Sequence, residues 1–135
     1  MKKFAIVLFS IFIVSALSST PDEANWPCFH GPDRDNMSAE TELLQAWPED
    51  GPELLWSIEG IGHGYSTVSI ADGRIFTAGM IEKKTYVTAL DFSGKTLWQT
   101  LNGQSWQAAD YQTWAVPYAG ARATPTVDGG KVYHL

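Results

Sequence analysis

The sequence predicts an all-β protein assembled from antiparallel meanders, and three observations lead there. Ala89-Leu90-Asp91-Phe92-Ser93-Gly94-Lys95-Thr96-Leu97-Trp98 reads as a strand, a glycine-containing turn and a second strand that carries a tryptophan. The same kind of second strand occurs earlier as Leu54-Leu55-Trp56, 42 residues before its Trp98 counterpart. Ser66 to Ala78 also aligns without gaps on Ala123 to Leu135. Self-similarity at such spacings is the signature of a repeat architecture.

The elements follow in order. Leu54 to Ile58 is expected to be a short strand, followed by a flexible glycine loop from Gly60 to Gly64. Ser66 to Ala71 and Arg74 to Ala78 form a hairpin through Asp72-Gly73, a pair whose positive backbone angles match the twist of paired strands. Thr85 to Leu90 and Thr96 to Thr100 are the third and fourth strands. Asp91, Ser93 and Gly94 supply the turn between them. A long aromatic loop spans 102–122 with Trp106, Tyr111, Trp114 and Tyr118. The inner hairpin then restarts at Ala123 and turns at Asp128-Gly129-Gly130.

Upstream, residues 1–18 read as a secretory signal peptide: Lys2 and Lys3, a 14-residue apolar run from Phe4 to Leu17, and small residues before a cleavage point after Ser18. The run is short for a span that needs about 20 apolar residues. The expectation is therefore a periplasmic or secreted protein with no stable membrane anchor after cleavage. Residues 19–53 form an extended segment of Pro, Gly, Asp and Asn. Within it a short helix is expected from Ser38 to about Trp47, capped by Ser38 and ended by Pro48. The net charge of −6 excludes the basic footprint of a nucleic-acid binder. The single Cys28 cannot close an internal disulfide.

A four-stranded meander repeated around a ring is a β-propeller blade. Residues 54–135 are thus expected to hold one full blade and two partial ones, the N-terminal part of a longer ring. The residues also resemble a known family. Ala89-Leu90-Asp91, Gly94-Lys95 and Leu97-Trp98 look like the repeat of propellers of the pyrroloquinoline-quinone (PQQ) type. Trp26-Pro27-Cys28-Phe29-His30-Gly31-Pro32, Arg34, Leu43-Leu44, Trp47-Pro48 and Leu54-Leu55-Trp56 resemble the opening of secreted bacterial members. Ala123-Thr124-Pro125-Thr126-Val127 with Lys131-Val132-Tyr133 resembles the next blade. The resemblance implies that Asp91, Gly94, Trp98 and Trp56 are structural, the tryptophans packing between blades and the Asp and Gly shaping the turn. It implies two kinds of function: a non-catalytic scaffold of the bacterial envelope, or a dehydrogenase of alcohols or sugars with PQQ and Ca²⁺ at its centre. No Cys-Cys pair and no Cys-x-x-Cys-His occurs in the sequence.

The residues give no catalytic set. His30, His63 and His134 lack metal-ligand spacing, and Gly64-Tyr65-Ser66-Thr67-Val68 is no nucleophile elbow. Gly60-x-Gly62-x-Gly64 precedes a strand rather than a helix, so it has no helix N-terminus to hold a phosphate. The candidate ligand positions are geometric, at the mouth of the channel: His63, Tyr65 and Ser66 enter one inner strand, and Arg122 and Thr124 enter the next. Arg122 is suited either to a bidentate pair with an anionic ligand or to bonding neighbouring carbonyls. The aromatic loop is suited to a sugar ring or an envelope protein partner, or to packing on itself.

Overall fold

The computed structural model describes residues 24–41, 43–106 and 119–135. The signal-peptide reading, Tyr111, Trp114 and Tyr118 lie outside the described residues. Those described form an all-β structure: β1 (Ser69–Ala71), β2 (Arg74–Ile81), β3 (Lys84–Leu90), β4 (Thr96–Gln104), β5 (Thr126–Asp128) and β6 (Lys131–Tyr133). The first four make one antiparallel sheet in the order β1-β2-β3-β4, and β5 and β6 make a second, two-stranded one. Neither sheet closes on itself among the described residues.

The turns explain the meander. Asp72 and Gly73 carry φ of 51° and 69°, and Gly129 and Gly130 carry 54° and 72°. Both pairs close tight hairpins of the twist-matching kind. The β2–β3 turn does the same with Glu82 and Lys83, at φ of 48° and 64°. Neither is glycine, so the sequence carries no turn signal there, and β2 runs on to Ile81, past its expected end at Ala78. β4 likewise continues to Gln104, taking Asn102 to Gln104 out of the expected loop. Its register against β3 shifts twice, between Thr85 and Tyr86 and between Ala89 and Leu90.

β2 and β3 are buried on both faces. On one face lie Phe76, Ala78, Val87 and Ala89. Val132 of β6 packs there, and so does Trp98, whose ring centroid lies 6.0 Å from that of Phe76. Removing a side chain as buried as Phe76 costs about 3–5 kcal/mol. On the other face Thr77 and Thr88 are paired across the ladder and buried. Their hydroxyls are satisfied, because Thr77 donates to the Thr67 carbonyl and Thr88 accepts from Gln99 Nε2 at 2.9 Å.

The β3–β4 turn is organised by Asp91. Its Oδ1 accepts the Ser93 hydroxyl at 2.6 Å and the Ser93 and Lys95 amides at 2.9 and 3.0 Å. The Ser93 hydroxyl first, then the Lys95 amide, holds this carboxyl below the usual carboxylate range. Trp56 docks on that turn. Its Nε1 donates to the Phe92 carbonyl at 2.9 Å, and its ring lies where a Cβ on Gly94 would be, 2.6 Å from the ring carbon Cε3.

Two expected elements are corrected. Leu54 to Ile58 is no strand: Leu54 and Leu55 are exposed, and the Trp56 side chain is anchored on the Phe92 carbonyl. No helix occurs among the described residues, including those between Ser38 and Trp47. Ser38 Oγ does accept the Glu40 amide, as a cap would, but Leu43, Leu44 and Trp47 are all exposed. A short helix is marginal without an apolar face to bury.

Gly94→Ala should lower stability by about 1–3 kcal/mol, through a φ of +83° and a collision with Trp56. Urea unfolding checks the magnitude. Undocking should red-shift part of the tryptophan emission, and that shift should be absent when Gly94→Ala is made in a Trp56→Phe background.

Candidate functional site

The segments entering β1 and β5 lie side by side. Gly64 forms a parallel bridge with Ala121, and the Tyr65 amide donates to the Ala121 carbonyl at 2.7 Å. Thr67 and Thr124 share a hydroxyl–hydroxyl bond of 2.7 Å and stand 57 residues apart. That is the spacing of the internal repeat. Gly64 and Ala121, Tyr65 and Arg122, and β1 and β5 are separated by the same interval. Equivalent positions of the two units therefore meet one another, pair by pair.

Glycine permits the approach. A Cβ on Gly64 would strike the Ala121 carbonyl oxygen, and one on Gly120 would come within 2.8 Å of the His63 carbonyl oxygen. Gly62 lies equally close to the Met80 backbone. The Gly60 to Gly64 loop is thus a place where main chains touch, which accounts for its glycines without a phosphate.

Each expected site residue has a definite place. His63 pairs through its backbone with Met80, in both directions, at 3.1 and 2.8 Å. The Ser66 hydroxyl donates to the Thr67 carbonyl and accepts the Ala78 amide, which ties it to β2. Tyr65 and Arg122 come together: the guanidinium carbon lies 6.0 Å from the Tyr65 ring centroid and 4.5 Å from that of Trp106. All three side chains are exposed. Thr124 meets Thr67, a residue the sequence reading passed over although the repeat spacing marks it as Thr124's counterpart. Beside this stack is a cavity of about 380 Å³ lined by Asn102, Gln104, Ser105, Trp106 and Arg122 among others.

His134 is a further member that sequence reasoning did not place. Its Nε2 donates to the Ala123 carbonyl and its Nδ1 accepts from Asn102 Nδ2, each at 3.0 Å. That arrangement uses the neutral ring. Burial pushes its pKa below the ordinary 6.5, against the smaller opposing effect of the Ala123 bond. Among the described residues, no group of three or more His, Cys, Asp or Glu is placed to hold a metal ion.

No family model matches the chain, and neither does any curated protein or any solved structure.

Two outcomes are expected. Gly64→Ala should destabilise by about 2 kcal/mol or more, because nothing at the Ala121 carbonyl is flexible enough to yield. Its chemical denaturation midpoint tests this. For His134, a folded-state pKa below the unfolded one contributes stability that is complete above pH 6.5 and is lost as the pH falls through the folded value. Wild-type stability should therefore drop as the pH falls below about 6.5, and that part of the drop should vanish in His134→Gln.

Proposed function

We propose that this chain is part of a β-propeller of the PQQ-like repeat kind and serves as a non-catalytic binding or scaffold module of the bacterial envelope. In this reading β1–β4 is one blade, β5 and β6 begin the next, and β1 and β5 are the strands nearest the ring axis. Strands that play one role around a rotation axis run parallel and meet at equivalent positions. The Gly64–Ala121 bridge and the Thr67–Thr124 bond support that arrangement. Trp98, which packs on the core of its own sheet where Val132 of the next unit also packs, supports it as well.

The observation that carries the function is the stack of Tyr65, Arg122 and Trp106 where the two inner strands begin. An exposed cation held over aromatic faces, with hydroxyls and amides beside it, offers recognition: stacking for a ring, and charge-assisted bonds for an anionic or carbonyl group. A protein or carbohydrate of the envelope has that chemistry. Location in the envelope rests on the leader-like sequence of residues 1–18.

The dehydrogenase reading needs oxygen ligands for Ca²⁺ near the axis.

The two readings separate in one experiment on the protein expressed in a bacterial envelope. A photo-crosslinking residue at position 65 should give a discrete adduct with an envelope component, and Arg122→Ala should reduce it about tenfold, as expected for a residue central to an interface. Saturable quenching of tryptophan emission by PQQ with Ca²⁺, together with dye reduction, would sink the non-catalytic reading.

A further inference from the structure

The opening segment Trp26-Pro27-Cys28-Phe29-His30-Gly31 has a role that neither the sheets nor the Tyr65–Arg122 stack uses. It lies across the two units. The Trp26 amide donates to the Ile70 carbonyl at 2.8 Å, and the Ile70 amide returns a bond to the Trp26 carbonyl at 2.9 Å. The next residue along, Pro27, accepts the Val127 amide at 2.7 Å. Ile70 is the middle residue of β1 and Val127 the middle residue of β5. They too are repeat equivalents, at the 57-residue spacing of Thr67 and Thr124. Two consecutive residues of the segment therefore bind the same position of two successive units, at one level.

Those bonds occupy particular edges. β1 pairs with β2 on one side and β5 pairs with β6 on one side. The Ile70 and Val127 groups bonded to the strap face the other side, the edge that has no named strand among the described residues. An open strand edge is a template for another backbone. Pro27 has no amide to give back, so pairing with β5 is limited to its carbonyl.

The segment is braced for this position. Its Trp26 ring folds over Gly31, whose φ is +80° and where an added Cβ would lie 2.7 Å from the ring. Cys28 Sγ donates to the Gly31 carbonyl at 3.1 Å, and the Gly31 amide donates to the Cys28 carbonyl at 3.0 Å. His30 Nδ1 donates to Asn36 Oδ1 at 2.8 Å, and the Asn36 amide donates to the His30 carbonyl. A loop tied this often to itself presents Trp26 and Pro27 with little ordering left to lose.

We infer that residues 26–31 are a built-in strap that fills the axial edges of β1 and β5 and closes one end of the central channel. This rests on the reading of β1 and β5 as inner strands. Ile70 and Val127 lie toward the Asp72-Gly73 and Gly129-Gly130 turns, whereas Tyr65 and Arg122 lie where the strands are entered. The strap therefore shuts the turn end and, among the described residues, leaves the Tyr65–Arg122 end open to a ligand or partner. It also keeps the two axial edges from adding a foreign strand.

Hydrogen exchange followed residue by residue on the full chain tests the strap. Ile70 and Val127 amides should be protected in the wild type. In Trp26→Ala both should exchange roughly tenfold faster or more, together, while the amides of β2 and β3 keep their protection. Gly31→Ala disturbs the brace without removing the indole and should give the same paired loss. Should β2 and β3 open as well in Trp26→Ala, the Gly31 variant decides. Response of only one of the two amides, or of neither, overturns the strap. A soluble paramagnetic agent then separates the strap from the ring. Relaxation at Ile70 and Val127 that rises only when the strap is disrupted supports closure. Full access in the wild type, with the amides still protected from exchange, overturns closure and the inner-strand reading but not the strap's pairing.

Discussion

Gly64 and Ala121 meet so closely that no side chain could stand between them, and most of the arrangement follows from this contact. Two main chains running in the same direction are locked at equivalent points of a repeat. The hydroxyls of Thr67 and Thr124 are then in bonding range, and β1 and β5 must run side by side. The contact is costly to specify. It takes glycine at 64 and 120, both at positive φ, and glycine loses more conformational freedom on folding than any other residue. That cost is offset by the bonds made at the seam and by the apolar surface that the seam lets the two sheets bury between them.

Trp98 is the main beneficiary on the apolar side. It touches both small clusters, Ala71-Phe76-Ala89 and Ala78-Val87-Ala121, and Val132 of β6 packs against the same two. Alanine at four of these positions leaves room that one large ring fills, a division of volume that suits an interface between two sheets. Trp56 solves a different problem with the same side chain. It lies on a turn instead of a core, and a third of its surface stays exposed at 36 %. Its worth lies in the indole bond to Phe92 and the flat contact with Gly94. The two tryptophans are equivalent in sequence, and each ties one unit to another.

Much of this was legible from particular residues. Asp72-Gly73 and Gly129-Gly130 announced their hairpins because few other pairs accept two positive φ values. Asp91 and Gly94 announced the β3–β4 turn for a similar reason. The turn at Glu82 and Lys83 was not announced, since neither residue favours positive φ and the ladder around them forces it. The two errors share one cause. Leu54 to Ile58 and Ser38 to Trp47 have local patterns suited to a strand and a helix, but Leu54, Leu55, Leu43, Leu44 and Trp47 are exposed. Local propensity needs a surface to bury against, and sequence alone does not say where that surface lies. The cluster of Tyr65, Trp106 and Arg122 was half legible. The repeat brought 65 and 122 together, but nothing in the sequence placed Trp106 on the guanidinium.

The two ends of the β1–β5 seam differ in a way that bears on recognition. At one end the backbone groups of Ile70 and Val127 are bonded by the strap, and its Trp26 ring is folded onto Gly31. At the other end the exposed groups are side chains: a phenol ring, an indole and a guanidinium. A surface made of backbone edges binds extended chains with little regard to sequence, whereas one made of side chains can discriminate among partners. On the proposed scaffold reading, covering the first and exposing the second would make a repeat scaffold selective at a single end. The acidic balance of the chain sharpens the contrast, because Arg122 is a local cation on a molecule with a net charge of −6. In the proposed function, an anionic partner would be repelled by the molecule at large and drawn toward this point.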